Sequence, residues 1–107
     1  MLVFGFKPGY KVWLEKNGIA FGDGLYNLLS GIERTGSIAA AASDMGMSYR
    51  AAWGKIRVAE KKWQIKLVKT RVGGDAGGGS ILTADARVLM ERFRVLKNGI
   101  LGTEVNL

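Results

Sequence analysis

A chain of 107 residues has the length of one small domain, and its 48% hydrophobic and 23% charged residues are those of an ordinary globular sequence. The sequence contains neither Cys nor His. That excludes a disulfide framework, thiolate or imidazole metal sites and any Cys or His nucleophile, so neither an enzyme nor a cofactor is expected. The apolar start, Met1 to Phe6, lacks the basic lead-in and the length of a signal peptide, and no run approaches a membrane span; a cytoplasmic protein is the expectation.

The formal charge of +7 is unevenly placed. Residues 1–46 and residues 72–107 each hold four cations and four anions. Residues 47–71 hold eight cations (Arg50, Lys55, Arg57, Lys61, Lys62, Lys66, Lys69 and Arg71) against Glu60 alone. The whole excess therefore lies in this one segment. Such a confined excess is the electrostatic footprint of a polyanion binder. A lysine-rich face kept for solubility is the plainer alternative.

Tyr10 to Glu15 alternates apolar and polar residues, and Asn17-Gly18 separates it from Ile19-Ala20-Phe21. An Asn-Gly pair between short apolar runs predicts a hairpin, because a type I′ turn needs positive φ at both central positions. Pro8-Gly9 marks an earlier turn, which leaves Leu2 to Phe6 as a further short strand or a loose extension. From Asp23 the period becomes helical, with Leu25, Leu28, Leu29 and Ile32 on one face and Gly36 as the stop. Ser37 caps a second predicted helix, Ile38 to Met45, rich in alanines that allow it to cross closely over the helix that follows. Gly46 interrupts it, and Ser48 caps a third, Tyr49 to about Trp63. Two helices joined by a short Gly-containing turn form a helix-turn-helix, although generic helical hairpins share the pattern.

The third helix carries two stripes. Ala52, Trp53, Ile56, Ala59 and Trp63 form an apolar one, so both tryptophans read as core residues. Arg50, Gly54, Arg57 and Lys61 form the other, flanked by Lys55 and Lys62. One face packs while the opposite face presents cations to a groove as wide as a helix. Gly54 costs about 1 kcal/mol against Ala in mid-helix, and close approach to a phosphate or base, or to another helix, would account for it.

Lys66 to Val72 alternates as a strand does, and runs into the glycine-rich stretch Gly73 to Ser80 before Ile81-Leu82 returns as its partner. Two strands around such a tip form a β-wing, whose Lys69 and Arg71 suit phosphate contacts. A phosphate-cradling nucleotide loop is the weaker reading, because the glycines lack a Gly-Lys-Ser/Thr ending and no helix starts from them. Thr83 then caps a helix from Ala84 to about Lys97, with Asn98-Gly99 as its expected end. Its stripe of Ala86, Leu89, Met90, Phe93 and Leu96 either docks on the protein's own core or pairs with a second copy.

Residues 36–53, GSIAAAASDMGMSYRAAW, and 73–83, GGDAGGGSILT, together resemble the N-terminal DNA-binding domain of ModE-type molybdate-dependent transcriptional regulators. The resemblance covers about residues 10–97 and takes in DGLYNLLSGI, from Asp23 to Ile32, as the first helix. It implies a winged helix-turn-helix of LysR type that regulates transcription and inserts the helix 48–63 into the major groove of double-stranded DNA. By the same resemblance Ser48, Tyr49 and Arg50 begin the base-contacting helix, and helices 24–34 and 84–97 form a homodimer. Lys55 and Arg57 are assigned to the DNA backbone from their charge. The full set expected at DNA adds Ser37, Gly54, Lys69, Arg71, Gly73 and Gly74.

The expected fold is thus α+β and mainly helical. One winged domain spans 1–107, with an N-terminal hairpin (1–22), a helix-turn-helix (37–63), a wing (66–82) and a C-terminal helix (83–98). Complete ModE proteins carry C-terminal molybdate-binding domains, whereas this sequence stops at Leu107. The expectation is a stand-alone relative with no selective molybdate binding. The rival reading is a winged protein–protein adaptor whose basic face meets an acidic partner.

Overall fold

The computed structural model describes residues 4–6, 9–71 and 79–105, the last six as backbone only. Two three-residue strands open the fold, β1 (Leu14–Lys16) and β2 (Ile19–Phe21), paired antiparallel with Leu14 opposite Phe21 and Lys16 opposite Ile19. Asn17 (φ 54°) and Gly18 (φ 81°) form the turn, with the two positive φ angles that the Asn-Gly pair predicts. Pairing is shorter than the alternation from Tyr10 promises. Gly22, beyond Phe21, is already the N-cap of α1 (Asp23–Thr35), so no strand remains opposite residues 10–13. Of the optional extra strand, residues 1–3 lie outside the described residues, and Phe4 and Phe6 are exposed.

Helix α1 buries Leu25, Leu28, Leu29 and Ile32 and ends at Gly36, whose left-handed φ of 73° lets its N–H bond the Ile32 carbonyl. Helix α2 (Ile38–Asp44) crosses it closely. A Cβ on Gly31 would stand 2.9 Å from the Ala41 Cβ, so the small residues seat α2 chiefly on α1. After the turn at Gly46, α3 (Tyr49–Trp63) lays Ala52, Ile56, Ala59 and Trp63 into the core. Strands β3 (Val68–Arg71) and β4 (Gly79–Leu82) pair antiparallel, with Val68 opposite Leu82 and Arg71 opposite Gly79.

Helix α4 (Ala84–Val105) is longer than predicted. Asn98-Gly99 does not end it, because neither residue takes the positive φ that a left-handed cap requires. One more hydrogen bond per residue outweighs the cost of about 1 kcal/mol for a helical glycine, so the backbone continues as a helix through the pair. The predicted α4 stripe divides. Ala86, Met90 and Phe93 are buried in the protein's own core, Leu89 is half-buried, and Leu96 is exposed. Phe21 and Phe93 meet edge to face, their ring centroids 5.5 Å apart, and so join the first hairpin to the last helix. The result is a mainly helical α+β, winged-helix-like architecture, with α1, α2 and α3 around one core and β3–β4 as the wing.

Candidate nucleic-acid interface

Ser48 sets the start of α3. Its Oγ accepts a hydrogen bond from the Ala51 N–H at 3.1 Å, in extended backbone, and Tyr49 and Arg50 follow it into solvent. Ser37 does the same for α2, accepting from the Ala40 N–H at 3.0 Å, and it is half-buried. Both hydroxyls therefore have a structural task that the sequence signals correctly.

Along α3 the two predicted stripes hold with one amendment. Arg50, Gly54, Arg57 and Lys61 are exposed opposite the buried face, and Lys55 and Lys62, also exposed, flank them. Trp63 is core, but Trp53 is only half-buried and carries the Arg57 guanidinium 5.1 Å from its ring centroid. Trp53 thus serves as a platform that orients a cation as well as an edge of the core. A Cβ added at Gly54 would meet nothing within 4 Å. Close packing on another helix of this chain is therefore not what this glycine permits. It lies instead in an open groove of about 510 Å³ between α3 and the start of α1, with Ala51, Lys55 and Val58.

On β3, Lys69 and Arg71 are exposed, while Val68 turns into the core. Gly73 and Gly74, predicted to contact DNA from the wing tip, lie outside the described residues. The return strand is docked onto the end of α1. The Ser80 N–H bonds the Gly36 carbonyl at 2.8 Å, and a Cβ on Gly79 would come within 2.9 Å of that oxygen. Only glycine permits this approach, which sets the wing beside Ser37.

Among the described residues four ion pairs form, and their cations are Arg34, Arg87, Arg94 and Lys97. None comes from residues 47–71. The eight cations of that segment are all exposed and have no carboxylate in ion-pair contact among the described residues. Arg57, Lys61 and Lys66 border an open depression of about 490 Å³ between the last turns of α3 and the root of β3.

Two sets of contacts around this surface have no counterpart in the sequence expectations. Glu60, the one acid in the basic segment, is buried, and its Oε2 accepts from the N–H groups of Leu67 at 2.8 Å and Val68 at 3.3 Å. Its position four after Ile56 and three before Trp63 places it on the apolar stripe, and that spacing is the available signal. The second set ties the β1–β2 hairpin to the end of α3. Asn17 Nδ2 donates to the Lys62 carbonyl at 2.8 Å, and the Trp63 indole N–H donates to the Lys16 carbonyl at 2.9 Å. A carbonyl left open by the last turn is thereby satisfied from a distant element. No local pattern in the sequence announces that partner.

Fold and surface together define a basic winged-helix-like domain. No family model matches the chain. It is 37% identical over 89 residues to the molybdenum-pterin-binding protein MopB of Rhodobacter capsulatus, a match covering 83% of this chain and 33% of that protein. It is 39% identical over 80 residues to the molybdenum transport protein ModE of Azotobacter vinelandii, covering 75% and 30% of the two chains. With the DNA-binding transcriptional dual regulator ModE of Escherichia coli K12 it shares 36% identity over 70 residues, 65% of this chain and 27% of that one. The chain belongs to the ModE-like family, and it spans about a third of the length of the relatives it matches. Among its described residues, no helix is long and apolar enough to cross a membrane.

Proposed function

We propose that this protein binds double-stranded DNA in a sequence-dependent way and regulates transcription from the cytoplasm, without enzymatic activity. The observation that carries the reading is the set of eight exposed cations, free of carboxylate partners among the described residues, on α3, on β3 and, at Lys66, on the link between them. The name of the Escherichia coli relative supports the same role. In this reading residues 1–107 act as one winged helix-turn-helix domain of LysR type, and α3 enters the major groove. Ser48, Tyr49 and Arg50 then face base edges. Gly54 leaves the backbone of α3 open to the groove wall. Lys55, Arg57, Lys69 and Arg71, with Ser37, Gly73 and Gly74, meet phosphates.

A homodimer through α1 and α4 belongs to the proposal. With Met90 and Phe93 buried in the protein's own core, the surface for a second copy is the outer side of α4, where Val88 and Val95 are 54% and 60% exposed. A specific oxyanion pocket requires several convergent donors, and the glycine-rich segment that is the candidate falls largely on residues 72–78, outside the described ones. We hold that molybdate exerts no selective effect through this chain, although the names of MopB and MopA attach molybdenum to longer relatives.

Selection from a random duplex library tests the whole reading. An enriched motif with two inverted half-sites is the expected result. Binding without any enriched sequence would favour the adaptor alternative, in which DNA merely stands in for an acidic protein.

A further inference from the structure

We propose that Glu60 is a positioning residue that locks the wing to α3, so that the two engage DNA as one rigid unit; this deepens the DNA-binding reading and rests on it. Among the described residues Glu60 is the single buried side chain that carries a charge. Its carboxylate spans from α3 to the root of β3 and accepts both the Leu67 and the Val68 N–H on one oxygen. Lys69 and Arg71 follow immediately on that strand. The same root is held from the other side by Thr83, at the start of α4. The Thr83 N–H donates to the Leu67 carbonyl at 3.0 Å, and its Oγ1 donates to the Lys66 carbonyl at 2.6 Å.

On the β3 side, the angle between α3 and the wing cations is thus set by a short span, Lys66 to Val68, held by polar contacts from both neighbouring helices, while the Ser80–Gly36 bond holds β4. An ordinary core position would be filled by an apolar residue, since burying a carboxylate is costly unless it is well hydrogen-bonded. An anion here also works against phosphate binding by simple electrostatics. Its presence within the basic segment is explained by geometry: two donors of the wing root need one acceptor at the reach of a glutamate.

Reach and charge separate in two conservative variants. Glu60→Asp keeps the charge but draws the carboxylate back by one methylene; Glu60→Gln keeps the reach and an acceptor oxygen but loses the charge. Duplex affinity is measured against salt for both, alone and with Lys69→Ala and Arg71→Ala together. Glu60→Asp is expected to flatten the slope of log K against log[salt] by about 1.8 per protomer, the value for two phosphate contacts at about 0.9 each. Its effect is expected to vanish in the chain lacking Lys69 and Arg71, and Glu60→Gln is expected to keep the native slope. Purely electrostatic action predicts the reverse, with no effect of Asp and tighter binding by Gln. That result, or a Glu60→Asp loss that adds in full to the double substitution, overturns the lock.

Should the native chain bind no duplex, the functional reading fails and amide hydrogen exchange judges the lock by itself. Glu60→Asp is then expected to speed exchange at Leu67 and Val68 at least tenfold, with Ala52 to Ala59 unchanged. Equal acceleration in both regions, or in neither, overturns it.

Discussion

Raising salt is the most direct perturbation of a surface whose affinity comes from phosphates. Four residues are assigned to the DNA backbone by charge, Lys55 and Arg57 on α3 and Lys69 and Arg71 on β3, and all four are exposed. At about 0.9 per neutralised phosphate, they give a slope of about −3.6 per protomer in log K against log[salt]. Between about 50 and 200 mM salt this amounts to a loss of roughly 150-fold. Removing Lys69 and Arg71 leaves a slope of about −1.8, and the same change of salt then costs only roughly twelvefold. Fluorescence anisotropy of one labelled duplex, titrated at four or five salt concentrations, reads both slopes. Screening also relieves the mutual repulsion of eight like charges in the free protein, so salt does not weaken binding by unfolding it. A native slope shallower than about −1.8, or one that Lys69→Ala with Arg71→Ala leaves unchanged, would refute the assignment of the wing to phosphates.

Arg50→Ala is expected to cost about 1–3 kcal/mol and to relax sequence preference, because a bidentate base contact discriminates by that amount; equal losses on specific and random duplexes would exclude it from base reading. Gly79→Ala drives a Cβ against the Gly36 carbonyl and is expected to destabilise the fold by about 1–3 kcal/mol, as overpacking does, read as a lowered urea midpoint. Sedimentation at micromolar concentration is expected to show a dimer that Val95→Lys dissociates; a native chain that stays monomeric on DNA would remove α4 from the interface. Molybdate and sulfate at equal ionic strength are expected to shift DNA affinity equally, and a saturable, selective molybdate effect found by calorimetric titration would reinstate a sensing role.

Where the chain's own chemistry is local, its sequence is legible. Ser37 and Ser48 cap the helices they precede, the Asn-Gly turn takes its two positive φ angles, and the eight cations of residues 47–71 all emerge exposed. What escapes is what depends on distant partners. Asn98-Gly99 misplaces the end of α4 because the pair permits a stop without enforcing one, and a helix already formed propagates through it. Trp53 reads as core because its spacing fits; only the fold shows it at the edge of the packed face, beneath Arg57. Glu60 counts in the sequence as one more charge, and its spacing on the apolar stripe identifies it once packing is considered. The Asn17 contact to the end of α3 spans 45 positions, a separation at which local pattern carries no information.

Magnitudes decide what holds this domain together and what remains available for binding. The exposed pairs Arg87–Glu33 and Lys97–Asp23 connect α4 to α1, but pairs of this kind are each worth between nothing and about 1 kcal/mol. Fully burying one large apolar side chain is worth about 1.5–3 kcal/mol, and Phe21, Leu28, Leu29, Ile32, Ile56, Leu67 and Phe93 are all buried below 2% exposure. The apolar core therefore fixes the arrangement of the helices, while the ion pairs tune the α1–α4 side where the acids are. Nothing in that division uses a cation from residues 47–71. Because the core needs none of these charges, α3, β3 and the link between them can carry them all outward, and Glu60 is the one charged group of the segment turned inward, to set the angle between helix and strand.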